Sequence, residues 1–326
     1  MASDDIRTQL SERRNSLESA MQRMGHPDHL VHLLREVDDA LGKLDKGTYG
    51  ICETCGEAIE SDRLAIDPLI RNCLDHLTSS EQRVLEHDLD LAHQVQSALL
   101  PKRGARLGAW SVAYHYEAAG PVSGDYLDIV PLQHEPGSFL FLMGDVTGKG
   151  VAAAILVSQL HAIFRSLSRL MLPLGELLKQ ANRLFSEGTT SRYFATMVCG
   201  KVSSGGDIEM SNAGHCAPVL LQSDGIHTIA SGALPLGMFC DAQFASTRVR
   251  TSPGDKLLLY TDGLVEARNA RDELYGEERL LALLGRISHF PAEELLKACL
   301  DDVRAFRSGS PKLDDTALMI LSRSAG

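Results

Sequence analysis

The chain contains no run approaching the roughly 20 uninterrupted apolar residues of a membrane-spanning helix. Its amino terminus, Met1-Ala2-Ser3-Asp4-Asp5, lacks the basic start and apolar stretch of a secretory leader. Both absences lead to the expectation of a cytoplasmic protein with no membrane partner. A basic surface is lacking as well. The net charge is -11, and residues 1–100 hold 10 Lys and Arg against 19 Asp and Glu, whereas residues 101–326 hold 22 against 24. An acidic amino-terminal third is the reverse of what a phosphate backbone attracts, so direct nucleic-acid binding is not expected and a protein partner is. Cysteines in even number are missing too: there are seven, and without a secretion signal metal binding is favoured over disulfides.

What is present has the bulk composition of a globular protein, 44% apolar and 23% charged, and at 326 residues there is room for about two domains. Four aspartates stand at the ends of apolar runs. They are Asp125 in Val122-Ser123-Gly124-Asp125, Asp145 between Phe141-Leu142-Met143-Gly144 and Val146-Thr147-Gly148-Lys149-Gly150, Asp262 after Leu257-Leu258-Leu259-Tyr260-Thr261, and Asp314 before Asp315-Thr316-Ala317-Leu318-Met319. Carboxylates at the tips of buried strands need a counter-charge, and a pair of Mg²⁺ or Mn²⁺ ions supplies it. The set predicts a metal-dependent active site. Any one of them alone has a plainer explanation, because Asp-Gly marks turns and Gly-Asp punctuates strand ends.

A second metal pattern lies upstream. Cys52-Glu53-Thr54-Cys55 is followed after 17 residues by Cys73-Leu74-Asp75-His76. Two such knuckles place three thiolates and one imidazole around a tetrahedral Zn²⁺. A redox Cys-x-x-Cys would need a thioredoxin-type strand and helix around it, and none is evident. Cys199, Cys216, Cys240 and Cys299 have no paired spacing and read as ordinary buried or half-buried residues.

Residues 6–46 read as two helices about a break at Gly25-His26-Pro27, the second with Leu30, Leu33, Leu34, Val37, Leu41 and Leu44 on one face. Residues 79–100 form a third, with Leu85, Leu89, Ala92, Gln96 and Leu99 spaced for a coiled-coil seam. The same stripe would serve a helix lying on its own domain, and both alternatives stay open. From 109 onward strand-like runs (110–116, 138–143, 193–201, 216–221, 256–260 and 316–321) alternate with helical stretches. Two of those helices come in succession: Ala153, Leu156, Val157, Leu160, Ile163, Phe164 and Leu167 stripe the first, and Leu174, Leu177, Leu178, Ala181 and Phe185 the second. Paired helices favour an α+β layering over a doubly wound sheet.

The ordered aspartate motifs, together with Arg192-Tyr193-Phe194-Ala195-Thr196, Asn212-Ala213-Gly214-His215 and Leu234-Pro235-Leu236-Gly237-Met238, resemble the SpoIIE/RsbU-like branch of the metal-dependent (PPM-type) Ser/Thr protein phosphatases over about residues 93 to 326. The resemblance implies an αββα sandwich of two antiparallel sheets flanked by helix pairs. It implies two Mn²⁺ or Mg²⁺, with Asp145 bridging them, the Asp125 carboxylate and the Val146 carbonyl on one ion, and Asp262 and Asp314 on the other; Asp315 could exchange with Asp314. Asp128 is expected as a hydrogen-bond acceptor behind the ligands or as a solvated charge. Eukaryotic-type relatives carry histidine where Thr147 stands, so no general acid is identified. His215 reads as part of a tight turn and Lys149 as a solvated charge. The implied substrate is a phosphorylated protein, in particular an anti-anti-sigma factor of STAS type in a bacterial partner-switching pathway.

Gly47 to Gly56, with Asp62-Arg63-Leu64 and Pro68, resembles the DksA/TraR zinc-finger family over about residues 30–78. That family usually has cysteine where His76 stands, and histidine is an equally competent ligand. Its action on RNA polymerase depends on a long hairpin with an acidic tip; here the hairpin is short and its tip is Gly25-His26-Pro27-Asp28-His29. RNA polymerase is therefore a weaker candidate partner than a phosphoprotein. The alternative function is a transcription-associated binding protein whose phosphatase domain serves as scaffold. The expected organisation is a helical hairpin at 1–46, a zinc finger at 47–78, a linker helix that could pair two chains into a homodimer at 79–100, and the phosphatase domain at 101–326.

Overall fold

The computed structural model describes residues 2–24, 27–190, 192–230 and 232–324. The chain divides into two compact units, Met1–Asp88 and Leu89–Gly326.

In the first unit α1 (Ala2–Met24) and α2 (Asp28–Lys46) pack on one another. Leu10, Val37 and Ala40 are buried between them, with Leu41 and Leu44 from the expected apolar face around that core. Ion pairs Arg7–Asp45 and Arg14–Asp38, at 2.8 and 2.9 Å, make the pairing antiparallel. Gly25 and His26, where the break was expected, lie outside the described residues. Gly47 closes α2 in the left-handed conformation, φ 67°, which glycine adopts without a Cβ clash. Beyond it, α3 (Ser61–Ile66) and a single helical turn at Leu74–His76 fold about Cys52, Ile59, Leu64 and Cys73. The helix α4 (Ser79–Leu99) runs across the division between the units.

The second unit is the expected αββα sandwich. One antiparallel sheet has the order β3 (Asp125–Pro131), β4 (Phe139–Val146), β5 (Ala195–Val202), β6 (Asp207–Ala213), β9 (Thr247–Arg250). The other runs β1 (Arg106–Leu107), β2 (Trp110–Glu117), β11 (Thr316–Arg323), β10 (Lys256–Tyr260), β7 (Val219–Gln222), β8 (Gly225–Thr228). Side chains alternate along each strand. On β4, Phe139, Phe141 and Met143 point into the layer between the sheets, with Leu257, Leu259 and Met319 of the other sheet. Leu140, Leu142 and Val146 point the other way, onto α5 (Gly150–Leu167) and α6 (Leu174–Gly188). Both predicted helical stripes are used there, and only Ile163 is partly rather than fully buried. The opposite outer layer packs α8 (Glu277–Ile287) and α9 (Ala292–Arg307) on the second sheet.

By length and composition alone Gly150–Leu170 would suffice to cross a membrane. Here its Leu156, Val157, Leu160 and Phe164 form part of the core beside the five-stranded sheet. Strands β1, β3, β6, β8 and β9 were not anticipated. β3 carries two buried acids, Asp125 and Asp128, which break the apolar alternation that announces a strand, and the alternation of Ile208 and Met210 in β6 is cut short by a buried Ser211-Asn212.

Candidate functional site

The β3–β4 register sets Asp125 directly opposite Asp145. Residues opposite one another in an antiparallel pair share a face, so the two carboxylates emerge together at the end of the sheet. Asp125 is only 2% exposed, and its Oδ2 accepts a hydrogen bond from the Thr261 hydroxyl at 2.9 Å. Thr261 follows β10 of the other sheet. Its amide donates to the Ala317 carbonyl at 3.0 Å and its hydroxyl accepts from the Ala317 amide at 2.8 Å. This stitch brings Asp262, the first residue of the short helix α7 (Asp262–Val265), next to the start of β11. A Cβ on Gly263 would come within 1.8 Å of the Asp315 carbonyl oxygen. Asp262-Gly263 is therefore more than a turn: the glycine lets two ligand-bearing loops touch.

The paired acids 314 and 315 take different parts. Both carboxylate oxygens of Asp315 accept backbone amides, from Ala119 and from Gly124, each at 2.7 Å. Asp315 thus staples the loop that leads into Asp125. Asp314 is half-exposed, with Oδ2 3.2 Å from the Lys149 ammonium and Oδ1 accepting the Asp315 amide at 3.0 Å. Behind Asp145 the chain turns through Gly148 and Gly150, at φ 103° and 71°, conformations that a side chain would strain. The Val146 amide donates to the Gly124 carbonyl at 3.1 Å, closing this loop against the one before Asp125.

Burial, then repulsion from Asp145, Asp315 and Asp262, pushes the Asp125 carboxyl well above its ordinary range. Burial and the charges of Asp262, Asp314 and Asp315 raise Asp145 to about 7, and burial with Glu266 and Asp314 raises Asp262. Carboxylates so placed fit divalent cations: all donors are oxygens, which suits hard ions, and an ion among them would remove the repulsion.

The zinc module is tighter. The ligand atoms of Cys52, Cys55, Cys73 and His76 all lie within 4.8 Å of one another, the only such group of His, Cys, Asp and Glu among the described residues. Cys55 Sγ and Cys73 Sγ are 3.8 Å apart and Cys73 Sγ is 3.2 Å from His76 Nδ1. Tetrahedral ligands at the Zn–S distance are about 3.8 Å apart, so the cluster fits zinc as it stands.

Three expectations change. Asp128 is neither a support behind the ligands nor a solvated charge. Three residues from Asp125 on a strand, it points to the opposite face, where it is fully buried and forked by Arg165 of α5 at 2.7 and 2.8 Å. Cys240 is exposed, not buried. Lys149, although 69% exposed, is tied to Asp314 and to the Leu313 carbonyl instead of being simply solvated. His215 sits in a turn as expected, its amide donating to Asn212 Oδ1 at 2.8 Å. Burial pushes its imidazole down to about 4, leaving it neutral and 2.8 Å from the Thr196 hydroxyl.

Sequence reasoning missed Gln96. It occupies a seam position on α4 but is 5% exposed: its amide donates to the Ser123 carbonyl at 2.7 Å, and its carbonyl accepts from the Ser123 amide at 2.9 Å. A polar residue in an otherwise apolar stripe was the available signal. Gln96 speaks for the helix lying on its own domain along this half of α4.

The Stage II sporulation protein E (SpoIIE) family matches residues 135–324, which carry three of the four aspartates and most of both sheets. The chain belongs to the SpoIIE family. Residues 47–75 match the prokaryotic dksA/traR C4-type zinc finger, and His76 falls just beyond that match. IcfG of Synechocystis sp. is 27% identical over 267 residues, 73% of this chain and 42% of that protein. The phosphoserine phosphatase RsbP of Bacillus subtilis is 27% identical over 188 residues, 56% of this chain and 46% of RsbP. The chain spans less than half the length of both. The phosphoserine phosphatase RsbU of Bacillus subtilis is 24% identical over 246 residues, 74% of this chain and 72% of RsbU. Among solved structures, the SiaA-PP2C domain of Pseudomonas aeruginosa superposes with a TM-score of 0.67 at 16% identity, over 76% of this chain and 99% of that one. The RsbU and RsbW domains of a Mycobacterium tuberculosis protein superpose with a TM-score of 0.59 at 26% identity, over 69% of this chain and 63% of that one. The SpoIIE-family fold is thus that of the PP2C-type phosphatases.

Proposed function

We propose that this chain is a cytoplasmic, metal-dependent phosphoserine/phosphothreonine protein phosphatase. The direct pairing of Asp125 with Asp145, stitched through Thr261 to the loops of Asp262 and Asp314, is the observation that carries the proposal. Asp125, Asp145, Asp262, Asp314 and the Val146 carbonyl would hold two Mn²⁺ or Mg²⁺. When bound, such ions make water nucleophilic near neutral pH and offset charge on the phosphoryl oxygens. The chain's own part is to place the carboxylates. Thr261 orients Asp125, Asp315 fixes the loop before it, and Gly263 allows the close approach of the second pair of ligands. Neutral, buried His215 lacks the imidazolium proton of a general acid at pH 7, and it is hydrogen-bonded to the Thr196 hydroxyl. Cys52, Cys55, Cys73 and His76 would hold one structural Zn²⁺.

The family supports a phosphorylated anti-anti-sigma factor of STAS type as substrate. Turnover of a phosphoserine substrate should need Mn²⁺ or Mg²⁺ and fall at least about a hundredfold in Asp145→Asn and Asp262→Asn, because an amide cannot supply the ligand charge. Near-normal turnover of both variants at saturating Mn²⁺ would place the site elsewhere. A homodimer through α4 also belongs to this proposal: Val84, Leu91 and Val95 are exposed along one face of it, with Leu85 exposed beside that face, and a second helix would cover the three. A monomer by light scattering at micromolar concentration would remove the dimer.

A further inference from the structure

Next to the aspartates, β2, α7 and the carboxyl-terminal half of α9 wall a cleft of about 170 Å³ that is open to solvent. Gly263 and Asp314 line it, so it adjoins the proposed metal site. Five cationic side chains face it, Lys149, Arg268, Arg304, Arg307 and Lys312, against the carboxylates of Glu117, Glu266 and Asp314. A cationic excess beside an acidic centre is notable in a chain of net charge -11.

Internal partners occupy only part of that charge. Lys149 bonds to the Leu313 carbonyl and Asp314, and Lys312 to the Glu117 carbonyl. Arg307 donates to the Ser310 carbonyl at 2.8 Å, and no ion pair joins it to a carboxylate among the described residues. Arg304 is 63% exposed; its one ion pair among the described residues is with Asp301 on its own helix, at 3.3 Å, and its charge is also felt by Glu117 across the cleft. Such an exposed pair is weak and exchanges readily for a better partner. Arg304 and Arg307 are three residues apart on α9, and therefore on one face of it.

We propose that this cleft docks acidic side chains flanking the phosphoserine of the substrate, with Arg304 and Arg307 as the carboxylate-binding pair. The inference rests on the phosphatase proposal and names its substrate class: a phosphoserine segment with aspartate or glutamate a few residues from the phosphate. Guanidinium forks suit that task, since they stay charged at every working pH and bind carboxylates through two parallel N–H bonds. The cleft then supplies specificity and the aspartates supply the chemistry.

The test uses the full chain with Mn²⁺, p-nitrophenyl phosphate, and two phosphoserine peptides of equal length whose flanks are Asp/Glu or Gln/Ala. Wild type should prefer the acidic peptide by about tenfold in kcat/KM at low salt, mostly through KM, and the preference should shrink as salt rises. In Arg304→Glu the preference should fall to parity or invert, and Arg304→Lys should restore part of it. A wild-type preference within twofold, or one that survives Arg304→Glu in a variant that melts normally, overturns the docking site while leaving the phosphatase proposal intact. Fluorescence anisotropy of the same peptides separates the converse case. If nothing is hydrolysed, tighter binding of the acidic peptide that is lost in Arg304→Glu keeps the cleft and discards the phosphatase. Equal binding of both peptides discards the cleft.

Discussion

The two candidate metal centres draw on very different lengths of chain: Cys52 to His76 for one, Asp125 to Asp314 for the other. The first has little core behind it, four buried residues of which two are its own cysteines. The second lies at the edge of a sandwich with three extensive hydrophobic layers. The difference teaches which way causation runs. Around the cysteines, metal bonds would supply much of the folding energy. Around the aspartates, folding energy from the sheets holds together carboxylates that repel one another, and an ion bound there would relieve that repulsion.

Removing ligands should therefore have unequal consequences. Structural zinc in small modules is worth on the order of 10 kcal/mol. Cys52→Ser with Cys55→Ser should take zinc content from about one per chain to none and abolish amide-exchange protection across residues 47–78. Asp145→Asn should leave exchange protection in the strands unchanged. A module that stays protected without zinc would break the comparison, as would an Asp145→Asn variant that loses its fold.

The same contrast explains what could be read from the sequence. The candidate zinc ligands come in two short knuckles, so spacing alone pointed to them, and their atoms do cluster. The helical stripes of α5 and α6 were equally legible because periodicity is a local property. Individual aspartates were ambiguous; only their order, matched to a family, singled them out. Nothing local could show that Asp315 would spend both oxygens on Ala119 and Gly124, or that Gly263 would abut Asp315. The Asp315 hydrogen bonds join segments nearly two hundred residues apart. Asp128 was misplaced for a related reason: with β3 unrecognised as a strand, the opposite facing of residues three apart could not be used.

Gln96 probes how far the aspartate site depends on its surroundings. Replacing it by leucine would strand the Ser123 amide and carbonyl in a buried place, at a cost of about 1–3 kcal/mol, two residues before Asp125. We expect Gln96→Leu to lower the thermal midpoint by several degrees and weaken Mn²⁺ binding severalfold, with zinc content unchanged. Calorimetric titration with Mn²⁺ checks the second point. An unaltered isotherm together with an unaltered midpoint would show that the loop before Asp125 holds its shape without α4.

The smallest effect concerns protons in the chain whose aspartate site holds no divalent ion. Asp145 titrates at about 7, raised by burial and by its acidic neighbours, against 3.8 for an unperturbed aspartate. A carboxyl with a raised folded-state value destabilises the fold only once it must ionise. The penalty is absent below about pH 4, grows as the unfolded chain releases its proton while the folded one keeps it, and levels off above about pH 7. Stability should thus fall across this window, by on the order of 1 kcal/mol after screening by water. Other groups titrate in the same range, so the informative quantity is the difference between wild type and Asp145→Asn in urea midpoint, measured at pH 5, 6, 7 and 8 with zinc retained. Asparagine has no proton to lose, and its advantage over aspartate should widen as pH rises. Saturating Mn²⁺ should reverse the trend for the wild type alone, because ion binding favours the ionised carboxylate that asparagine lacks. A difference that narrows with rising pH would mean that Asp145 is stabilised as an anion by a partner other than a metal ion, and the contrast between the two centres would lose its electrostatic basis.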